Sequence, residues 1–161
     1  MSNQIKISFP DSSVKEYKSG ISSLEIAKSI SNSLAKKILV ASFNDVHIDL
    51  STELTENGSI KFFTWDDIEG KKTFWHSSAH LLAEAVESLY PGVKFGIGPP
   101  IDNGFYYDFS RKEPFTENDL KKIEQKMMEI VDRNEPTHRE VWNRKKAIEH
   151  FKKIGEKYKS E

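Results

Sequence analysis

Ile5, Ile7 and Phe9 alternate with polar residues, and this period of two predicts a half-buried strand near the head of the chain. Pro10-Asp11-Ser12-Ser13 has turn chemistry, so Val14-Lys15-Glu16-Tyr17 is expected to return as the second strand of a hairpin. Lys18-Ser19-Gly20 ends it. The period then lengthens. Ser22 or Ser23 is placed to cap a helix whose apolar stripe is Leu24, Ile26, Ala27 and Ile30. Ile38 to Phe43 reads as a strand, Asn44-Asp45 as a turn and Val46 to Leu50 as another strand. Gly58 precedes a last one, Ile60 to Thr64. A hairpin, one helix and further short strands over residues 1–64 predict an α+β fold, and specifically a ubiquitin-like β-grasp.

Residues 65–72, with Asp66-Asp67-Ile68-Glu69-Gly70-Lys71-Lys72, are polar and read as a linker to a second α+β unit over 73–161. Thr73 is expected to cap its first helix, whose core stripe is Ala79, Leu82, Val86 and Leu89. Pro91-Gly92 ends that helix. Val93 to Gly98 reads as a strand, Pro99-Pro100 as a break, and Asn103-Gly104 as a tight turn into a strand over Phe105 to Phe109. Thr116-Glu117-Asn118-Asp119 opens a helix that buries Leu120, Ile123, Met127, Ile130 and Val131 and ends at Asn134-Glu135-Pro136. Thr137 to Trp142 is expected as one more strand. Asn143 caps a final helix with Ala147, Ile148 and Phe151 on its apolar face, and Gly155 closes it.

Composition adds exclusions. There is no cysteine, which removes disulfides, cysteine catalysis and thiolate metal sites from these residues and fits a cytoplasmic protein. No apolar run approaches the ~20 residues of a membrane helix, and Met1-Ser2-Asn3-Gln4-Ile5 does not read as a secretory signal. With 24 basic against 25 acidic residues, whole-chain charge gives no argument for nucleic acid. The sign is uneven, however. Arg139, Arg144, Lys145, Lys146, Lys152, Lys153, Lys157 and Lys159 form a basic strip, either a contact for a phosphate backbone or a solvated helix face with interleaved Glu140, Glu149 and Glu156.

The richest chemistry lies in Phe74-Trp75-His76-Ser77-Ser78-Ala79-His80-Leu81-Leu82. His76 and His80 fall at i and i+4, on one face of a helix. Such a pair can bind a metal, polarise a water or hold an acyl ester. It can equally be a surface or core pair with no ligand. The zinc-protease motif H-E-x-x-H needs a glutamate where Ser77 stands, so that reading fails. Two imidazoles make half a zinc site, and neither His47, His138 nor His150 has the spacing of a third ligand. Gly96-Ile97-Gly98-Pro99-Pro100 is expected to leave backbone N–H and C=O groups open to a polar ligand.

Trp75-His76-Ser77-Ser78-Ala79-His80-Leu81-Leu82, Gly96-Ile97-Gly98-Pro99 and Asp102-Asn103-Gly104-Phe105-Tyr106-Tyr107-Asp108 together resemble the N-terminal part of the bacterial threonyl-tRNA synthetase family, and Gly155-Glu156-Lys157-Tyr158-Lys159 also matches it. The alanyl-tRNA synthetase editing domain shares the H-x-x-x-H helix but would not bring this front end. The resemblance implies a TGS domain over 1–64 and the first part of an editing domain over 73–161. It implies an enzyme that charges tRNA with threonine using ATP and hydrolyses serine wrongly attached to it. In the family, the editing site combines the two helix histidines, a lysine and a later Cys-x-x-x-His segment. That assigns His76, His80 and Lys159 as catalytic here, with Tyr107 and Asp102 as candidate pocket residues or, equally, hairpin packing and turn chemistry. The cysteine-containing segment is not in this chain. The resemblance therefore implies an N-terminal fragment with half an editing site, inactive when isolated, and no metal or cofactor of its own. ATP with magnesium and a zinc would belong to the aminoacylation domain of the full-length enzyme. The implied partner is threonine tRNA carrying serine at its 3′ end, with no membrane partner. The full-length enzyme is expected to be a homodimer and the fragment a monomer. Two competing readings are a non-catalytic RNA- or protein-binding module and a metallohydrolase.

Overall fold

The computed structural model describes residues 4–136 and 139–155. They divide into two compact units, Met1–Phe74 and Trp75–Glu161.

The first unit is built on the expected hairpin. β1 (Gln4–Ser8) pairs antiparallel with β2 (Val14–Lys18), from Gln4 opposite Lys18 to Ser8 opposite Val14. The short β3 (Ile21–Ser22) leads into α1 (Ser23–Ile30). Ser22 is its N-cap: its hydroxyl accepts from the Glu25 N–H while the Glu25 carboxylate accepts from the Ser22 N–H, so two orphan donors are satisfied at once. α1 buries Ile26 and Ala27, whereas Ile30, expected in the stripe, is exposed in the last turn. Ser31 closes α1 and caps α2 (Asn32–Lys37), a helix the apolar pattern did not announce. β4 (Ile38–Phe43) turns through Asn44 and Asp45, both at positive φ, into β5 (Val46–Ile48). This left-handed pair is what a two-residue hairpin turn requires. β6 (Glu53–Leu54) pairs with β3, and β7 (Gly58–Thr64) completes the sheet in the order β2-β1-β7-β4-β5. Its centre is parallel, with Ile7 opposite Gly58, and all other pairings are antiparallel. Ile5, Ile7, Ile26, Leu54 and Ile60 form the core under α1. The buried Ser23 hydroxyl donates to the Leu50 carbonyl at 3.0 Å, so no polar group is stranded there. One helix across a mixed sheet with a parallel centre is the β-grasp arrangement, and the fold class is α+β.

The residues expected as a linker, 65–72, become helix from Ile68, and Thr73 lies inside α3 (Ile68–Leu89) rather than at its cap. Asp67 starts that helix: its carboxylate accepts from the Thr64 N–H at 2.8 Å and its carbonyl accepts from the Lys71 N–H at 3.0 Å. Gly70 permits the close approach, since a Cβ there would lie 1.8 Å from the Thr64 carbonyl oxygen.

In the second unit, α3 buries Ala79, Ala85 and Val86, and Gly92 at positive φ turns the chain. The expected strand over Val93 to Gly98 reduces to β8 (Lys94–Phe95). β9 (Pro100–Ile101) and β10 (Gly104–Phe105) form a hairpin whose turn is Asp102-Asn103, one residue before the expected Asn103-Gly104, because Gly104 already pairs with Ile101. The strand expected over Phe105 to Phe109 is split, because β11 (Phe109–Ser110) leaves β10 to pair with β8. α4 (Glu117–Arg133) starts at a capping box of Thr116 and Asp119 and ends at Asn134 in the left-handed conformation. Its buried face is narrower than expected: Ile123 is buried and Met127 and Ile130 are half-buried, but Leu120 and Val131 are exposed. No strand forms over the described residues 139–142; Thr137 and His138 lie outside the described residues. Asn143 caps α5 (Arg144–Lys153) through the Lys146 N–H at 2.9 Å. Among the described residues, no helix is long and apolar enough to cross a membrane.

Candidate functional site

α3 turns Ala79 and Val86 inward, and the same pitch carries His76 and His80 outward. The two imidazoles meet: Nε2 of one lies 2.9 Å from Nε2 of the other, with ring centroids 4.7 Å apart and planes inclined by 67°. A hydrogen bond between these atoms needs one donor and one acceptor. One ring therefore carries its proton on Nε2 and the other bears a lone pair there. Two imidazolium rings cannot share this bond. The arrangement is a proton-donating and proton-accepting couple on the exposed face of α3. Next to His76 in the chain, Trp75 packs beside Phe105, with ring centroids 6.3 Å apart.

The remaining sequence candidates are placed differently. Tyr107 is half-buried, stacked on Phe109 at 4.9 Å with planes 14° apart and edge-on to Phe95 at 6.1 Å. Asp102 is exposed in the turn between β9 and β10. Lys159 lies outside the described residues. Two backbone groups of the Gly96-Ile97-Gly98 run, expected to be open to a ligand, are taken within the chain. The Gly96 N–H donates to the Asp108 carbonyl at 2.8 Å, and the Ile97 carbonyl accepts from the Asp108 N–H at 3.0 Å. Glycine is needed at 98 because a Cβ there would strike the Tyr107 ring at 2.4 Å. Close packing accounts for the glycine at 98. His150 stands edge-on to Trp142 at 5.0 Å, and His47 edge-on to Phe63 at 5.5 Å. Among the described residues, no group of three or more His, Cys, Asp or Glu side chains is arranged to hold a metal ion.

Sequence reasoning missed a polar knot in the second unit. Tyr90 at the end of α3 donates to the Asp119 carboxylate at 2.8 Å, and Arg111 pairs with that carboxylate at 3.6 Å. The guanidinium lies over the rings of Tyr90 and Phe115, at 4.5 and 4.8 Å. The Thr116 backbone N–H, the Tyr90 hydroxyl and the Thr116 hydroxyl hold the Asp119 carboxyl well below the usual carboxylate range. Burial, then the bond to Asp119, pushes the Tyr90 phenol up. A cleft of about 670 Å³ opens beside this knot, lined by Tyr90, Gly92, Lys94, Ser110, Arg111 and Lys112. Only the capping pattern of Thr116 and Asp119 was visible in the sequence. The Tyr90 and Arg111 contacts join residues far apart in the chain.

Residues 5–64 match the family model of the TGS domain. The chain is 54% identical over 155 residues to the threonine–tRNA ligase of Pelagibacter ubique, covering 96% of this chain and 24% of that protein. It is 48% identical over 157 residues to the threonine–tRNA ligase of Phenylobacterium zucineum, covering 98% of this chain and 24% of the relative. Against the same enzyme of Bartonella quintana it is 48% identical over 161 residues, covering 100% of this chain and again 24% of the relative. The chain thus spans about a quarter of the length of the curated relatives it matches. Residues 5–64 are a TGS domain, on a chain that is similar along nearly all of its length to threonine–tRNA ligase.

Proposed function

We propose that this chain is part of a threonine–tRNA ligase, and that its second unit supplies half of a site that hydrolyses serine wrongly esterified to threonine tRNA. The observation that carries the reading is the contact between His76 and His80, 2.9 Å apart on the exposed face of α3, in a chain 54% identical to a threonine–tRNA ligase over 155 residues. Serine lacks one methyl group of threonine, which is worth only about 1–3 kcal/mol of discrimination in a binding pocket, so a second, hydrolytic selection is needed.

The pair suits the chemistry. When a substrate hydroxyl and a water replace the mutual bond, the couple presents one donor and one acceptor to them. The accepting nitrogen takes the proton of the attacking water, and the donating one holds the ribose hydroxyl. Water adds to the ester carbonyl, the bond to the ribose oxygen breaks, and the histidine that took the water's proton passes it to that leaving oxygen, which restores the neutral ring. Such acid–base help contributes about 10²–10⁴-fold. Lys159 would steady the negative charge that develops on the carbonyl oxygen. Tyr107 acts through packing against Phe95 and Phe109, in the paired strands β8 and β11, and Asp102 shapes the turn of the β9–β10 hairpin. For the whole ligase, the resemblance implies ATP with magnesium and a zinc in the aminoacylation domain, a homodimer and a cytoplasmic location.

The test is serine release from serine-charged threonine tRNA. This chain is compared with one extended through a Cys-x-x-x-His segment, each with and without His76→Ala. Release by the extended chain, cut about 100-fold or more by the substitution, is expected. Release that ignores His76 sinks the catalytic role and leaves an RNA-binding module.

A further inference from the structure

We propose that α5 is an RNA-backbone contact surface, with Arg144, Lys145 and Lys152 as its phosphate-binding groups. The proposal deepens the tRNA reading above by naming a surface for it. Between Arg139 and Gly155 stand six cationic against two acidic side chains, a net of +4 in a chain whose formal net charge is −1. The charge is also organised in space. Arg144, Lys145 and Lys152 line one groove of about 450 Å³ on α5, with Ile148 at its floor and Glu149 as its single acid. Three other cations of this unit have partners of their own. Lys146 sits 4.1 Å above the Trp142 ring, Lys94 donates to the Gly155 carbonyl at 3.1 Å, and Arg111 is held by Asp119.

Helix stability does not explain Arg144 and Lys145, whereas Lys152, in the last turn, stands where the dipole favours a cation. Arg144 and Lys145 occupy the first turn of α5, which carries no acid. Positive charge is disfavoured there by the helix dipole. α4 follows the favourable rule, with Glu117 and Asp119 in its first turn. No buried residue of α5 demands this side-chain choice either. A local rule broken by a cluster of one sign fits a surface shaped for an external polyanion. Lys152 at i+7 and i+8 from Lys145 and Arg144 lies on the same helix face, so the cations form a strip along the axis. Such a strip can follow successive phosphates of a duplex without reading bases.

The experiment titrates the full chain with a short RNA duplex of unrelated sequence, bearing no amino acid, over a range of salt concentrations. Three proteins are compared with the parent: Arg144→Glu/Lys145→Glu/Lys152→Glu, the same three positions changed to Gln, and Lys28→Glu/Lys36→Glu/Lys37→Glu as a matched charge change in the first unit. Circular dichroism checks that each is folded, and the Gln set preserves helix propensity. The α5 reversal is expected to weaken binding about 10-fold or more and to reduce the slope of log affinity against log salt by about 2 to 3, the value for three lost phosphate contacts. The Gln set should show most of the slope change, and the first-unit set little of it. An unchanged slope in both α5 variants overturns the proposal. So does an equal loss in the first-unit variant, which would mean net charge alone. Failure of the parent to bind RNA, or its binding to phosphatidylserine vesicles in place of RNA, also overturns it. Hydrolysis is read separately: a chain that binds the duplex through α5 yet never releases serine keeps this surface and loses the catalytic reading of the histidines.

Discussion

The first unit closes its own core. A five-stranded sheet and α1 bury Ile5, Ile7, Ile26, Leu54 and Ile60, and β1 alternates buried and exposed residues along its length. The second unit is built otherwise. Its strands pair two residues at a time, α4 buries only Ile123 fully, and α5 buries nothing fully. Its core is Ala85, Val86, Val93, Phe95 and Ile123, with the half-buried rings of Tyr107, Phe109 and Phe115 packed against it. The difference teaches where chemistry can be carried. A complete core leaves few side chains to spare, while helices anchored along a narrow line can turn histidines and cations outward.

The largest effect should come from breaking the first core. Ile26 is fully buried, and Ile26→Ala is expected to cost about 2–5 kcal/mol, transfer and cavity terms together. Urea denaturation followed by amide hydrogen exchange would locate the loss. It should fall on β1, β7 and α1, and a loss spread evenly over both units would erase the contrast drawn here.

The same contrast explains what was legible in the sequence. Period-two alternation at Ile5 and Ile7, the Ser22 cap and the Asn44-Asp45 turn are local signals, and all reappear in the first unit. β3 and β6 escaped because two-residue strands have no period to read. The start of α3 escaped because it depends on Asp67 capturing Thr64 and on Gly70 meeting the Thr64 backbone. In the second unit, Leu120 and Val131 matched a helical stripe yet lie exposed, since a stripe shows which residues share a face and not whether a neighbour covers it. The spacing of His76 and His80 was readable because i, i+4 geometry is intrinsic to a helix. The glycines at 96 and 98 misled because their partners, Asp108 and Tyr107, are found only in three dimensions.

A middle-sized effect tests the knot that holds α4 to the second unit. Thr116→Ala removes the hydroxyl that accepts from the Asp119 N–H at 3.2 Å and donates to its carboxylate at 2.9 Å, and should cost about 1 kcal/mol. Asp119 also sets a pH dependence. Its carboxyl is held below the ordinary value, so the folded state binds its proton less readily than the unfolded chain does. The stability it contributes is therefore full above the ordinary carboxylate range, near pH about 4, and is lost as the pH falls towards the lowered value. Acid titration of unfolding should show this slope in the parent and lose it in Asp119→Asn. A slope that persists in the variant would assign the acid sensitivity elsewhere.

The smallest effect is the sharpest probe of the open helix face. Met128 is 59% exposed on α4, although Met127 beside it packs against the aromatic core. If that face contacts nothing in this chain, Met128→Ala should change stability by no more than about 0.5 kcal/mol, the ordinary range for a surface substitution. Met127→Ala in the same helix should exceed it clearly, because it withdraws side-chain contacts from the cluster around Val86, Val93 and Phe95. The two substitutions share chemistry and helix propensity and differ only in what the side chain touches. Equal losses would mean that the outer face of α4 is covered in solution, and the second unit would then be as closed as the first.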